Sequence, residues 1–125
     1  METLICRSTI YYDLYTTEID DAEMPWIQIQ GIPMKKIGQV RLTRLGKKIL
    51  FISHLMIHPL HRGKGFGKKI MLEIDLVGNK KKVQTLQLHV QYQNLPAIRL
   101  YENYGYKQVG VDFDHLIYEK QLGQP

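Results

Sequence analysis

Apolar and polar positions along this chain alternate with a period of two in some stretches and recur every three or four residues in others, which separates strands from helices. The first forty residues predict a strand near Leu4 to Ser8, an acidic, irregular stretch from Asp13 to Glu23, and a short strand from Trp26 to Gln30. Gly31-Ile32-Pro33 breaks the chain. Ile37 to Leu45 and Lys48 to Ile57 then form two β-rich runs joined at Gly46, the pattern of a hairpin. Apolar residues occupy both parities of the second run (Ile49, Leu50, Phe51, Ile52, Leu55, Met56, Ile57), so it predicts a central strand covered on both faces, ended by His58-Pro59.

From Gly65 the period changes. Phe66, Ile70, Ile74 and Val77 fall on one face of an amphipathic helix that stops at Gly78-Asn79, with Lys69 and Glu73 placed to pair at i, i+4. Lys80 to Lys82 reads as a solvated loop. Val83 to Val90 resumes strand alternation, with Leu86, Leu88 and Val90 on one face and Gln87 and His89 on the other. Asn94 and Pro96 open a second helix carrying Ala97, Leu100, Tyr101 and Tyr104 and ending at Gly105; Tyr106 to Phe113 and His115 to Tyr118 close the chain as strands.

At 125 residues this is one domain with a single core, and 44% hydrophobic and 23% charged residues fit an ordinary globular protein. The lone cysteine, Cys6, closes no intrachain disulfide, which points away from a stapled secreted scaffold and towards the cytoplasm. The longest apolar run, Ile49 to Ile52, is far shorter than the ~18 to 20 residues of a membrane span, so no membrane partner is expected. Lysines and arginines outnumber carboxylates 17 to 12, and the resulting net charge of +5 favours an anionic ligand.

The sharpest local feature is Arg62-Gly63-Lys64-Gly65-Phe66-Gly67-Lys68-Lys69, lying between a buried strand and a helix start. Glycines let successive N–H groups point inward, and the helix N-terminus adds about half a positive charge, so the turn can cradle phosphate oxygens with Arg62, Lys64 and Lys68 neutralising them. The same residues also fit a tight packing turn. A Walker loop fails because no Ser or Thr follows Lys68, and a dinucleotide fingerprint fails because Lys68 stands where its third glycine belongs. An RNA-recognition aromatic strand fails too, since Lys68 occupies the position of a stacking aromatic.

The spacing met by Arg62, Gly65 and Gly67, after a strand ending Leu55-Met56-Ile57-His58-Pro59, resembles the GNAT superfamily of acyl-CoA-dependent N-acyltransferases. Downstream, Asn94-Leu95-Pro96-Ala97-Ile98-Arg99-Leu100-Tyr101, followed by Gly105-Tyr106, is similar to that family's second segment. The two motifs span about half the chain. The resemblance implies an α/β (α+β) fold: a mixed, mainly antiparallel central sheet with helices on both faces and a splayed central strand pair. It also implies acetyl-CoA as co-substrate, its pantetheine arm lying between the splayed strands on main-chain groups of Leu55, Met56 and Ile57. The pyrophosphate then rests on Arg62, Gly63, Lys64, Gly65, Phe66, Gly67 and Lys68, with Asn94 on the far side. A plain helix cap accounts for Asn94 equally well.

Tyr101 matches the family's acid, the group that protonates the departing thiolate; as one of eight tyrosines it also suits simple packing. Members of the family often carry a glutamate base on the fourth strand, but here Ser53 stands at or near that place and no carboxylate lies between Glu23 and Glu73. His54 and His89 are the nearby groups able to accept a proton, and either fits equally well as a sheet histidine. A lysine-like amine costs about 4.6 kcal/mol to deprotonate at pH 7 and an α-amine about 1, so a site without a strong base suits a weakly basic or α-amine acceptor. Tyr11 to Met34 leaves little room for the two helices that usually shape the acceptor pocket. The competing expectations are an acyl-CoA binder that has lost catalysis and a basic RNA-binding domain. The second is disfavoured because tyrosines and lysines do not interleave. A monomer or homodimer is expected.

Overall fold

A computed structural model describes residues 8–16, 27–29, 32–57 and 66–123. The elements run β1 (Ser8–Thr16), β2 (Ile27–Ile29), β3 (Ile32–Leu45), β4 (Ile49–Ile57), α1 (Phe66–Lys80), β5 (Thr85–Gln91), α2 (Leu95–Asn103), β6 (Lys107–Asp112) and β7 (His115–Gln121). The strands join into a mixed, mainly antiparallel sheet in the order β1-β3-β4-β5-β7-β6, with β2 pairing β3 off that path.

The hairpin is built as its pattern predicts, with Gly46 at φ 67° in the turn, where a side chain would be strained. Two N-terminal expectations change. The stretch from Asp13 is not irregular up to Thr16, because β1 carries it in register with β3, Asp13 opposite Gln39 and Thr16 opposite Lys35. Nor does Gly31-Ile32-Pro33 end a segment: β3 already starts at Ile32, and Pro33 sits opposite Gln28 in the three-residue ladder with β2. A proline is tolerated at such a strand end because few ladder bonds need its missing N–H. The expected strand start at Leu4 and the segment 17–26 lie outside the described residues.

β4 and β5 are the parallel pair, which needs a crossover, and α1 supplies it. Leu42, Leu50, Ile52, Leu86, Leu88 and Tyr118 bury one sheet face against Ile70, Met71 and Ile74 of α1 and Ile98 of α2. Both described helices lie on that face. Asp75 of α1 accepts from Lys120 Nζ at 2.6 Å and Glu102 of α2 accepts from Tyr118 Oη at 2.9 Å, and those β7 residues are two apart. The opposite face carries half-buried Arg41, Ser53, Phe51, Gln87, Ile117 and Glu119, and no described helix covers it. β4 is accordingly packed deeply on one side and lightly on the other, where Phe51 meets His89 edge-on with ring centroids 5.2 Å apart.

Gly78 is required by this packing: a Cβ there would come within 2.8 Å of Leu122 and 3.0 Å of Leu86. Between β6 and β7, Phe113 takes φ 55°, tightening the turn that leads into His115 at the start of β7.

Candidate active site

The parallel ladder between β4 and β5 begins at Ile49 opposite Thr85 and stops at Ile52 opposite Leu88. Beyond that point β4 continues to Ile57 against β3, and β5 continues to Gln91 against β7, so the two central strands part. The cause lies in β4. Gln39 faces Met56 and Arg41 faces Ser53, leaving His54 and Leu55 together opposite Val40, a one-residue bulge with His54 at φ 51°. A bulge bends its strand and strengthens the local twist. Left-handed backbone is uncommon for a residue with a Cβ, though histidine tolerates it better than most, and such positions gather at functional sites.

A cleft of about 420 Å³ opens where the strands part, lined by Ile52, Ser53, His54 and Leu55 from β4 and Leu88, His89, Val90 and Gln91 from β5, with Asn94, Tyr101 and His115 at its rim. That volume lies in the range of ordinary small-molecule sites, ~300 to 1,000 Å³. Main-chain groups facing the gap have lost their ladder partners, and an extended amide-bearing chain can supply replacements. The sequence-predicted Leu55, Met56 and Ile57 lie on this freed stretch, with Met56 exposed.

Asn94 turns out to be both a cap and a lining residue. Its Oδ1 accepts from the Ala97 N–H at 3.4 Å, capping α2, while the residue borders the cleft. Pro96 sits in the first turn of α2. Tyr101, nearly two turns on, is half-buried and stands with its ring centroid 5.9 Å from that of Tyr106. Burial pushes its hydroxyl pKa above the ordinary tyrosine value, so it stays protonated throughout the neutral range.

Ser53 Oγ accepts from Arg41 Nε at 2.9 Å, which fixes a cation beside β4 and leaves the serine hydroxyl hydrogen as a donor. His54 lines both the cleft and a smaller hollow of about 250 Å³ formed with Gln39, Val40 and Arg41 on the β3 side. His89 shares the cleft across the gap. The residue missed in the sequence is His115, whose Nδ1 lies 2.8 Å from Asp114 Oδ1. Nothing in the linear pattern singles it out, because it reaches the cleft through the β5–β7 ladder, opposite Gln91.

Of the expected anion turn, Arg62, Gly63, Lys64 and Gly65 lie outside the described residues. Phe66 opens α1, Lys68 is exposed in its first turn, and no acidic residue stands there to oppose an anion. Gly67 has a packing role as well, since a Cβ there would meet Leu100 of α2 at 3.3 Å, bringing the start of α1 against the helix that carries Tyr101.

Comparison with known proteins bears on the fold and the family. The chain is 30% identical over 88 residues to a streptothricin acetyltransferase of Escherichia coli, covering 65% of this chain and 47% of that protein. It is 31% identical over 61 residues to the uncharacterized N-acetyltransferase YycN of Bacillus subtilis, 49% of this chain and 39% of that one. The chain thus spans about half the length of these curated relatives or less. Among solved structures, the PaiA N-acetyltransferase of Thermoplasma acidophilum in complex with coenzyme A superposes with a TM-score of 0.64 at 25% identity, covering 74% of this chain and 56% of that one. The family model described as the acetyltransferase (GNAT) family matches residues 5–106, and the chain belongs to that family.

Proposed function

We propose that this chain is an N-acetyltransferase that moves an acetyl group from acetyl-CoA to an amine, with a weakly basic or α-amine as acceptor. The observation that carries the reading is the parting of β4 and β5 after Ile52 and Leu88, with Tyr101 and Asn94 bordering the gap. The freed edge suits the pantetheine amides, and the start of α1 with Lys68 suits the pyrophosphate, with Arg62 and Lys64 just before it in the sequence adding positive charge.

The acceptor amine attacks the thioester carbon, a C–N bond forms, and the C–S bond breaks. Tyr101 is the group placed to give its hydroxyl proton to the leaving sulfur. Burial makes it a reluctant acid, which suits a donor that must stay protonated until thiolate charge develops beside it. Ser53 and His54, with Arg41 behind the serine, form the opposite wall, where Ser53 donates to polar substrate atoms. The streptothricin-acetylating relative supports a small-molecule acceptor, and the cytoplasm, where acetyl-CoA is available, is the proposed location.

A second reading, an acyl-CoA binder without turnover, is favoured by one observation: none of the described residues lining the cleft is a carboxylate. Melting curves with and without acetyl-CoA, followed by thiol release across a panel of amines, decide between them. A stabilised protein that releases thiol with at least one amine is the expected result. Stabilisation without release identifies a binder, and absence of both overturns the proposal.

A further inference from the structure

We infer that His115, held by Asp114, is the base that takes the proton from the acceptor amine; this rests on the acetyltransferase reading above. An ionised carboxylate only accepts hydrogen bonds, so the 2.8 Å contact between Asp114 Oδ1 and His115 Nδ1 places the imidazole proton on Nδ1. Nε2 then keeps its lone pair on a ring that lines the cleft. The other two cleft histidines lack this arrangement. His89 is packed edge-on against Phe51, and His54, whose backbone makes the bulge, has no carboxylate partner among the described residues to fix its tautomer. Among the described residues no three histidine, cysteine or carboxylate groups are placed to hold a metal ion together, so the cluster reads as proton chemistry.

The surroundings favour a base. His115 faces Asp112 across the β6–β7 ladder and Gln91 across the β5–β7 ladder, with Asp114 beside it in the turn and His89 two residues along β5. The His115 side chain is 39% exposed, enough to pass an accepted proton to solvent. In the step itself the amine nitrogen bonds to the acetyl carbon, its N–H proton moves to His115 Nε2, directly or through one water, and the C–S electron pair leaves on sulfur, which takes the Tyr101 proton. The proton that His115 then gives to solvent is matched by one that Tyr101 takes back from it, so no further reactant is needed. Asp114 is a positioning residue.

The test measures acetyl-CoA thiol release against pH for the wild type, His115→Gln and Asp114→Asn, with glycinamide, N-α-acetyl-lysine and water as acceptors. The acetyl-CoA melting shift and the ring-nitrogen tautomer of His115 by NMR are measured alongside. Expected are an Nδ1–H tautomer, a roughly 100-fold loss of kcat in His115→Gln with the melting shift retained, and disappearance of the acidic limb of the pH profile. Asp114→Asn should lose less and weaken the Nδ1–H preference, since a neutral amide can donate to Nδ1 as well as accept from it. An Nε2–H tautomer, or a His115→Gln profile that matches the wild type, overturns the assignment while leaving the transferase reading intact. A wild type that neither binds acetyl-CoA nor releases thiol overturns both.

Discussion

The same two strands behave oppositely at their two ends. From Ile49 to Ile52, β4 is zipped to β5 and packed beneath α1, with Leu50, Ile52, Leu86 and Leu88 all nearly sealed from solvent. From Ser53 onward it bulges, parts from β5 and exposes Met56. The first end holds the fold, and the second is where we propose the chemistry to lie. They share one backbone, so the packed end serves as the rigid base from which the open end is aimed.

Breaking the packed end should have the largest effect. Leu86→Ala removes a fully buried side chain between α1 and β7 and should cost about 2 to 5 kcal/mol, read as a lower midpoint in urea unfolding. At the open end, Tyr101→Phe should reduce kcat by about 100-fold while the folded state loses less than about 1 kcal/mol. An equal loss of stability and activity would show that Tyr101 serves only as packing.

Alkali separates the two ends next. Burial raises Tyr106 most strongly, with the Asp75 charge and Tyr101 adding to it. It also raises Tyr101, and it raises Tyr118 together with the Glu102 hydrogen bond and charge. The unfolded chain gives up these protons near ~10 while the folded chain keeps them, so their stabilisation is complete below pH 10 and drains away as pH rises beyond it. Tyr106→Phe and Tyr118→Phe should flatten the fall of melting temperature above pH 10. Smaller is Asn94→Ala, which removes the α2 cap at a cost of about 1 kcal/mol and should also weaken acetyl-CoA binding. Smallest is His54→Gly. It relieves the left-handed strain but frees the unfolded chain, so stability should move by less than about 1 kcal/mol while the binding of acetyl-CoA is retained.

The packed end could be read from the sequence because its information is local. Gly46 marks the turn, Ile70 and Ile74 mark the buried stripe of α1, and Leu86, Leu88 and Val90 alternate as a strand must. The cleft was legible in part, since Asn94 and Tyr101, both singled out in the sequence, line it together. What escaped depends on register. A bulge at His54 has no composition of its own, and His115 joins the cleft only because β7 lies between β5 and β6, an order no periodicity encodes. The length of β1 escaped for a related reason: the Asp13 to Thr16 stretch lacks clean alternation, yet β3 offers it a long partner.

The extra residue in β4 has a consequence for how a ligand arrives. Because two residues face Val40 where one would keep step, the spacing that holds the gap open is written into the covalent chain. A guest entering there finds the doorway already built, so none of its interaction energy is diverted into prising the sheet apart.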